Sequence, residues 1–144
     1  MEYLRRNNLE DKRINFESGD FFESNFKYGG KSDLILMSLI LHDFNLQNKL
    51  NLLKIAYECL DSNNQNSTLI IIENFIDDKR IQHTFSLLMS LNMAIDYGDS
   101  FDFSTQELKQ WCESIGFDTT TAYCFHLSGS SKAFVIKKNK SKSN

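Results

Sequence analysis

Two residues in this 144-residue chain combine chemistry with a position where chemistry can be done. His42 stands directly after the apolar run 34–41, and Glu73 directly after the β-branched run 68–72. Each run has the length and composition of a buried strand. In an open α/β sheet, ligands bind beyond the carboxyl ends of the strands. An imidazole titrates near neutral pH, so one placed there can accept or give up a proton. The alternative for His42 is a histidine that does no more than satisfy a hydrogen bond at a strand end. Residues 68–72 follow 34–41 through a helix, and a strand-helix-strand crossover on this scale closes parallel and right-handed. Glu73 is therefore expected on the same sheet edge as His42, both side chains facing a common cleft.

The intervening helix is the clearest element. Leu46, Leu50, Leu53, Tyr57 and Leu60 recur at spacings of three and four, an amphipathic pattern with Asp43 or Asn45 as its N-cap. A second helix is expected over residues 81–95, carrying Phe85, Leu88, Leu91 and Ile95. Met89 and Met93, four apart on it, suit either core packing or an adaptable pocket wall. Ser104 and Glu107 form a capping box for a third helix that runs to about residue 115, where Gly116 ends it. Residues 117–125 and 132–138 then read as strands joined through Ser128-Gly129-Ser130, an antiparallel hairpin at the sheet edge. Ahead of all these, residues 13–17 alternate apolar Ile14 and Phe16 with polar neighbours, a short strand leading to the turn at Ser18-Gly19-Asp20.

Length and composition bound the whole. The chain is long enough for one domain with a sizeable core, and 41% hydrophobic and 24% charged residues match a globular protein. A net charge of −3 gives no footing for nucleic acid, which is bound through Lys and Arg on phosphates. The first residues are polar and charged, and the longest apolar run falls short of the roughly 20 residues of a membrane helix. The expectation is a cytoplasmic protein without membrane contact. Cys59, Cys112 and Cys124 lack metal-ligand spacing and are expected as buried, reduced thiols. Residues 139–144 read as a disordered basic tail, leaving 1–138 as the domain. No Gly-x-Ser-x-Gly elbow is present, which disfavours a hydrolase.

The order Gly19-Asp20-Phe21-Phe22, Asp33-Leu34-Ile35-Leu36, Leu41-His42-Asp43-Phe44, Ile72-Glu73 and residues 104–108 resembles the catalytic half of S-adenosylmethionine-dependent O-methyltransferases of the caffeate, acetylserotonin and bacterial polyketide type. The resemblance covers roughly residues 9–138. It implies an α/β fold, part of a Rossmann-like sheet, mostly parallel with a C-terminal antiparallel hairpin and with helices on both faces. It implies methyl transfer from S-adenosylmethionine to a hydroxyl of a small aromatic or polyketide-like molecule. His42 would be the general base, while Glu73 and Asp102 would orient it and stabilise its protonated form. Asp20 would contact the adenine end of the cofactor with Phe21 beside the ring, and Ser38 would stand where plant relatives often carry lysine. Met89 and Met93 would line the acceptor pocket. No metal is implied.

The family's Gly-x-Gly-x-Gly strand and its ribose-binding acid are expected ahead of residue 1, together with an N-terminal dimerisation domain. In the family's sheet order, 3-2-1-4-5-7-6, this leaves the strand at 13–17 without its neighbour: either it pairs elsewhere or an edge of unpaired backbone groups stays open, with marginal stability and a place for a homodimer partner or complementing chain. A truncated, non-catalytic remnant that associates with another chain is the competing expectation.

Overall fold

The computed structural model describes residues 16–23 and 31–139. Four strands form one sheet: β1 (Leu34–Ser38), β2 (Thr68–Glu73), β3 (Phe117–His126) and β4 (Lys132–Lys138), in spatial order β1-β2-β4-β3. β1 and β2 run parallel, with Leu34 opposite Thr68 and Ser38 opposite Ile72. β4 lies antiparallel between β2 and β3. This is the 4-5-7-6 portion of the expected sheet, with the hairpin in place.

Helix α1 (Leu46–Cys59) makes the crossover from β1 to β2. Of its two possible caps, Asn45 is the one used: its side chain accepts the Asn48 N–H at 3.0 Å. Helix α3 (Thr105–Ile115) carries both halves of its capping box, Ser104 with the Glu107 amide and Glu107 with the Ser104 amide. It ends at Gly116, where φ is +115° and an added Cβ would meet the Tyr57 hydroxyl at 3.4 Å. A side chain would be strained there, so glycine is the residue that fits. Leu52, Leu53 and Ala56 of α1 and Leu108 and Cys112 of α3 pack with Leu69, Ile71, Phe134 and Ile136 of the sheet into one core.

Several expectations are corrected. The run 34–41 is not one strand, because β1 stops at Ser38. Leu39 then takes φ +51°, and Leu41–Asp43 forms a single 3-10 turn. Nor is β1 buried on both faces. Leu34 and Leu36 are 57% and 58% exposed, so among the described residues the face that they share with Ser38 is uncovered. The second helix, α2 (Thr84–Tyr97), begins three residues late. The Asp77 carboxylate accepts the amides of Ile81, Gln82 and His83, which turns that stretch into a loop. Those bonds, the Gln82 amide foremost, hold the Asp77 carboxyl down at about 2.

On α2 the apolar side faces outward. Phe85, Leu88, Leu91 and Ile95 are all exposed, whereas Met89 and Met93 are half-buried. The cysteines are free as expected but not all buried. Cys112 is enclosed, its thiol pushed up to about 12 by burial, while Cys59 is half-buried and Cys124 exposed. Residues 13–15 of the expected first strand and residues 140–144 of the tail lie outside the described residues. Phe16 and Glu17, which are described, form no strand. Among the described residues no helix is long and apolar enough to cross a membrane.

Candidate active site

Parallel pairing of β1 with β2 brings the ends of both strands to one rim, and the 3-10 turn then folds His42 back over β2. His42 Nδ1 lies 2.8 Å from Glu73 Oε2. The other carboxylate oxygen of Glu73, Oε1, accepts the backbone N–H groups of Ile40 and Leu41 at 3.1 and 2.9 Å. Glu73 is thus almost fully buried at 2% exposure, with an amide or imidazole donor on each oxygen. A buried carboxylate needs such partners. Their effect is to fix the peptide that carries His42 and the ring itself.

The second ring nitrogen, Nε2, lies 3.2 Å from Asp43 Oδ1. Carboxylates at both nitrogens suit a ring that donates from both, the imidazolium. The His42 pKa is accordingly raised, chiefly by the hydrogen bond to Glu73, against burial, which lowers it. The fields of Glu73, Asp43 and Asp102 add to the rise. Asp43 is partly exposed and Glu73 enclosed, so Nε2 is on the more open side of the ring.

Asp102 sits in the loop between α2 and α3. It is 6% exposed, and its N–H donates to Ser90 Oγ at 3.1 Å. It makes no hydrogen bond to His42. Burial pushes its carboxyl up to about 6, while His42 and Lys49 pull it down. Asp102 therefore acts on His42 through its field.

Sequence reasoning missed Lys49. A lysine on an amphipathic helix reads as solvated, yet this one is 0% exposed. Its Nζ donates to the Phe44 carbonyl and lies 3.8 Å from the centroid of the Phe101 ring. A signal was present: Lys49 falls three residues after Leu46 and four before Leu53, on the apolar stripe itself. Burial lowers its pKa to about 8 from the usual 10.5, against the fields of Asp102, Glu73, Asp43 and Asp99.

A lysine whose folded pKa is depressed binds its proton less well in the folded state. Between about pH 8 and 10.5 the unfolded chain therefore holds a proton there that the folded chain has lost, and stability rises with pH. Comparing Lys49→Met with the parent by denaturant unfolding isolates this. The parent should gain up to about 1.4 kcal/mol per pH unit over that window and the variant should not. Parallel curves would show that Lys49 titrates normally. His42 has the opposite sign, because its raised pKa contributes stability that is full below about 6.5 and is lost as pH climbs through the folded value.

The cofactor-side residues lie apart from this cluster, along β1. A cavity of about 690 Å³ is lined by Phe21, Leu36, Ser38, Ile40, Leu52 and Cys59 among others. Phe21 and Ser38 are thus brought together. Asp20 adjoins through Phe21, its Oδ1 accepting the Phe22 N–H at 2.8 Å. Phe22 in turn packs edge-on against Phe44, ring centroids 5.3 Å apart, which ties this turn to the signature containing His42. Met89 and Met93 lie on α2, which meets the 3-10 turn carrying His42. No group of three or more His, Cys, Asp or Glu side chains among the described residues could hold a metal ion.

Residues 2–118 match the sequence model of the O-methyltransferase domain family. The chain belongs to that family. Over 105 residues it is 31% identical to a 3-hydroxy-5-methyl-1-naphthoate 3-O-methyltransferase of Streptomyces sahachiroi, covering 72% of this chain and 28% of that one. It is 27% identical over 105 residues to the tetracenomycin polyketide synthesis 8-O-methyl transferase of Streptomyces glaucescens, covering 73% and 29%. Human N-acetylserotonin methyltransferase, solved in complex with SAM, shares the fold with a TM-score of 0.75 at 22% identity, over 91% of this chain and 35% of that one. The chain therefore spans less than a third of the length of these two Streptomyces enzymes. This O-methyltransferase domain has the Rossmann-like α/β architecture expected from the sequence.

Proposed function

We propose that this chain supplies the proton-transfer half of an S-adenosylmethionine-dependent O-methyltransferase acting on a hydroxyl of a small aromatic or polyketide-like molecule. The observation that carries the reading is the 2.8 Å contact between His42 Nδ1 and Glu73 Oε2 at the carboxyl ends of two parallel strands. With Nδ1–H held by Glu73, the lone pair of a neutral His42 lies on Nε2, the nitrogen on the more open side. Nε2 takes the proton of the acceptor hydroxyl, Glu73 keeps the ring in place, and the negative field of Asp102 stabilises the imidazolium that results. Asp43 leaves Nε2 as the hydroxyl arrives.

The cavity beside β1 fits the cofactor in size and character. Its volume lies within the usual small-molecule range of roughly 300–1,000 Å³, and its lining is mainly apolar, as an adenosyl group requires. Phe21 would pack beside the adenine with Asp20 at its polar edge, and Ser38 would offer a hydroxyl. S-adenosylmethionine, when bound, supplies an electrophilic methyl group on a sulfonium. Met89 and Met93 would form part of the acceptor wall, and residues 1–138 would act as one domain with 139–144 as a tail. The one-sided pairing of β1 among the described residues and the exposed apolar side of α2 support association with a homodimer partner, a complementing chain, or a further part of the same protein.

Calorimetric titration of the full protein with S-adenosylmethionine, followed by assay with phenolic acceptors, tests this reading. Saturable binding and release of S-adenosylhomocysteine are expected. A full protein that neither binds the cofactor nor methylates would leave only the associating remnant.

A further inference from the structure

Proton transfer as derived above makes no use of Lys49, yet its charge is costly where it stands. A methionine could supply the same hydrocarbon packing without an ammonium to desolvate. The geometry around Nζ shows what the charge faces. Its only hydrogen bond among the described residues is to the Phe44 carbonyl. The rings of Phe101 and Phe103 lie beside it, 3.8 and 5.6 Å from Nζ to their centroids. Those two residues flank Asp102 in sequence, so the ring contacts tie the Asp102 loop to the ammonium. Among the described residues no carboxylate comes within the 4.0 Å of an ion pair. Lys49 instead senses four at longer range, Asp102, Glu73, Asp43 and Asp99, and the first three are the carboxylates that also act on His42.

Asp102 itself is faced by His42, by Lys49 from α1, by Glu73 from β2 and by Ser90 from α2. Glu73 opposes its ionisation, and Ser90 offers a single hydroxyl. When His42 is neutral, the ammonium of Lys49 is, among the described residues, the one cation that faces the Asp102 carboxylate.

We propose that Lys49 is a positioning residue for charge: its buried ammonium keeps Asp102 ionised beside His42, so that a proton reaching the imidazole meets a counter-charge already formed. Burial brings the two pKa values toward each other, Asp102 up to about 6 and Lys49 down to about 8. What the ionised Asp102 is for rests on the methyl-transfer reading, but the coupling between Lys49 and Asp102 does not.

NMR of the full protein, labelled with ¹³C at the aspartate carboxyls and ¹⁵N at lysine Nζ, measures the coupling from both ends. Lys49→Met should raise the Asp102 midpoint by about one unit or more, as losing a nearby opposite charge does. By reciprocity Asp102→Asn should lower the Lys49 midpoint by the same amount. A Lys49 that only fills space would leave Asp102 where it was, and unmoved midpoints in both variants overturn the proposal. If Lys49→Met does not fold, the isosteric Asp102→Asn decides alone. Neither measurement requires cofactor or turnover. A protein that methylates without this coupling sinks the proposal and spares His42, and one that shows it without methylating does the reverse.

Discussion

Replacing His42 by alanine in the full protein should lower turnover by roughly 10²–10⁴-fold, the usual contribution of a positioned general base, and leave cofactor affinity nearly unchanged. The two effects separate because the imidazole and the cavity occupy different places. His42 sits over Glu73 at the strand ends, whereas the cavity runs along β1 past Phe21 and Ser38. The same ring predicts the pH dependence of the unmutated protein. Its pKa is raised above 6.5, first by the Glu73 hydrogen bond, and below its folded value the ring is charged and cannot take a proton. Activity should therefore rise with pH through a midpoint above 6.5, and that limb should vanish in His42→Ala. Turnover equal to the parent's, or an unchanged acid limb, would remove His42 from the mechanism.

What the sequence made legible was set by short-range signals. The α3 cap needs only Ser104, Glu107 and Gly116, all within one helix, and it formed as read. The meeting of His42 with Glu73 needed one long-range inference, that a strand-helix-strand crossover closes parallel, and that rule has few exceptions. Errors arose where a neighbour distant in sequence decided the outcome. β1 ends at Ser38 because the backbone turns at Leu39 and Glu73 then captures the amides of Ile40 and Leu41. No feature of the apolar run itself marks that turn. The start of α2 was lost to Asp77, whose carboxylate holds residues 81–83 around itself in a loop. Lys49 was hidden because its burial depends on rings from the Phe101 and Phe103 loop, joined to α1 only in three dimensions.

The isosteric change Glu73→Gln should do nearly as much damage as loss of the base, and for a more instructive reason. Glutamine keeps the volume, and its amide oxygen can still accept the Ile40 and Leu41 amides, so the fold survives. Its –NH₂ group then faces His42 Nδ1, where a carboxylate oxygen stood. A donor there forces Nδ1 to accept, which moves the ring proton to Nε2. The nitrogen that should receive the acceptor's proton already carries one. In a serine-protease triad the equivalent Asp→Asn change leaves geometry intact and costs about 10⁴ in kcat, so a loss on the order of 10²–10⁴ is expected here. Glu73→Ala should differ in kind. It strands the Ile40 and Leu41 N–H groups, at about 1–3 kcal/mol for each left without a partner, and should lower stability as well as rate. Denaturant unfolding beside turnover separates the two. A stable Glu73→Gln with parental activity would show that Glu73 serves only the backbone, and that the tautomer of His42 is set by another group.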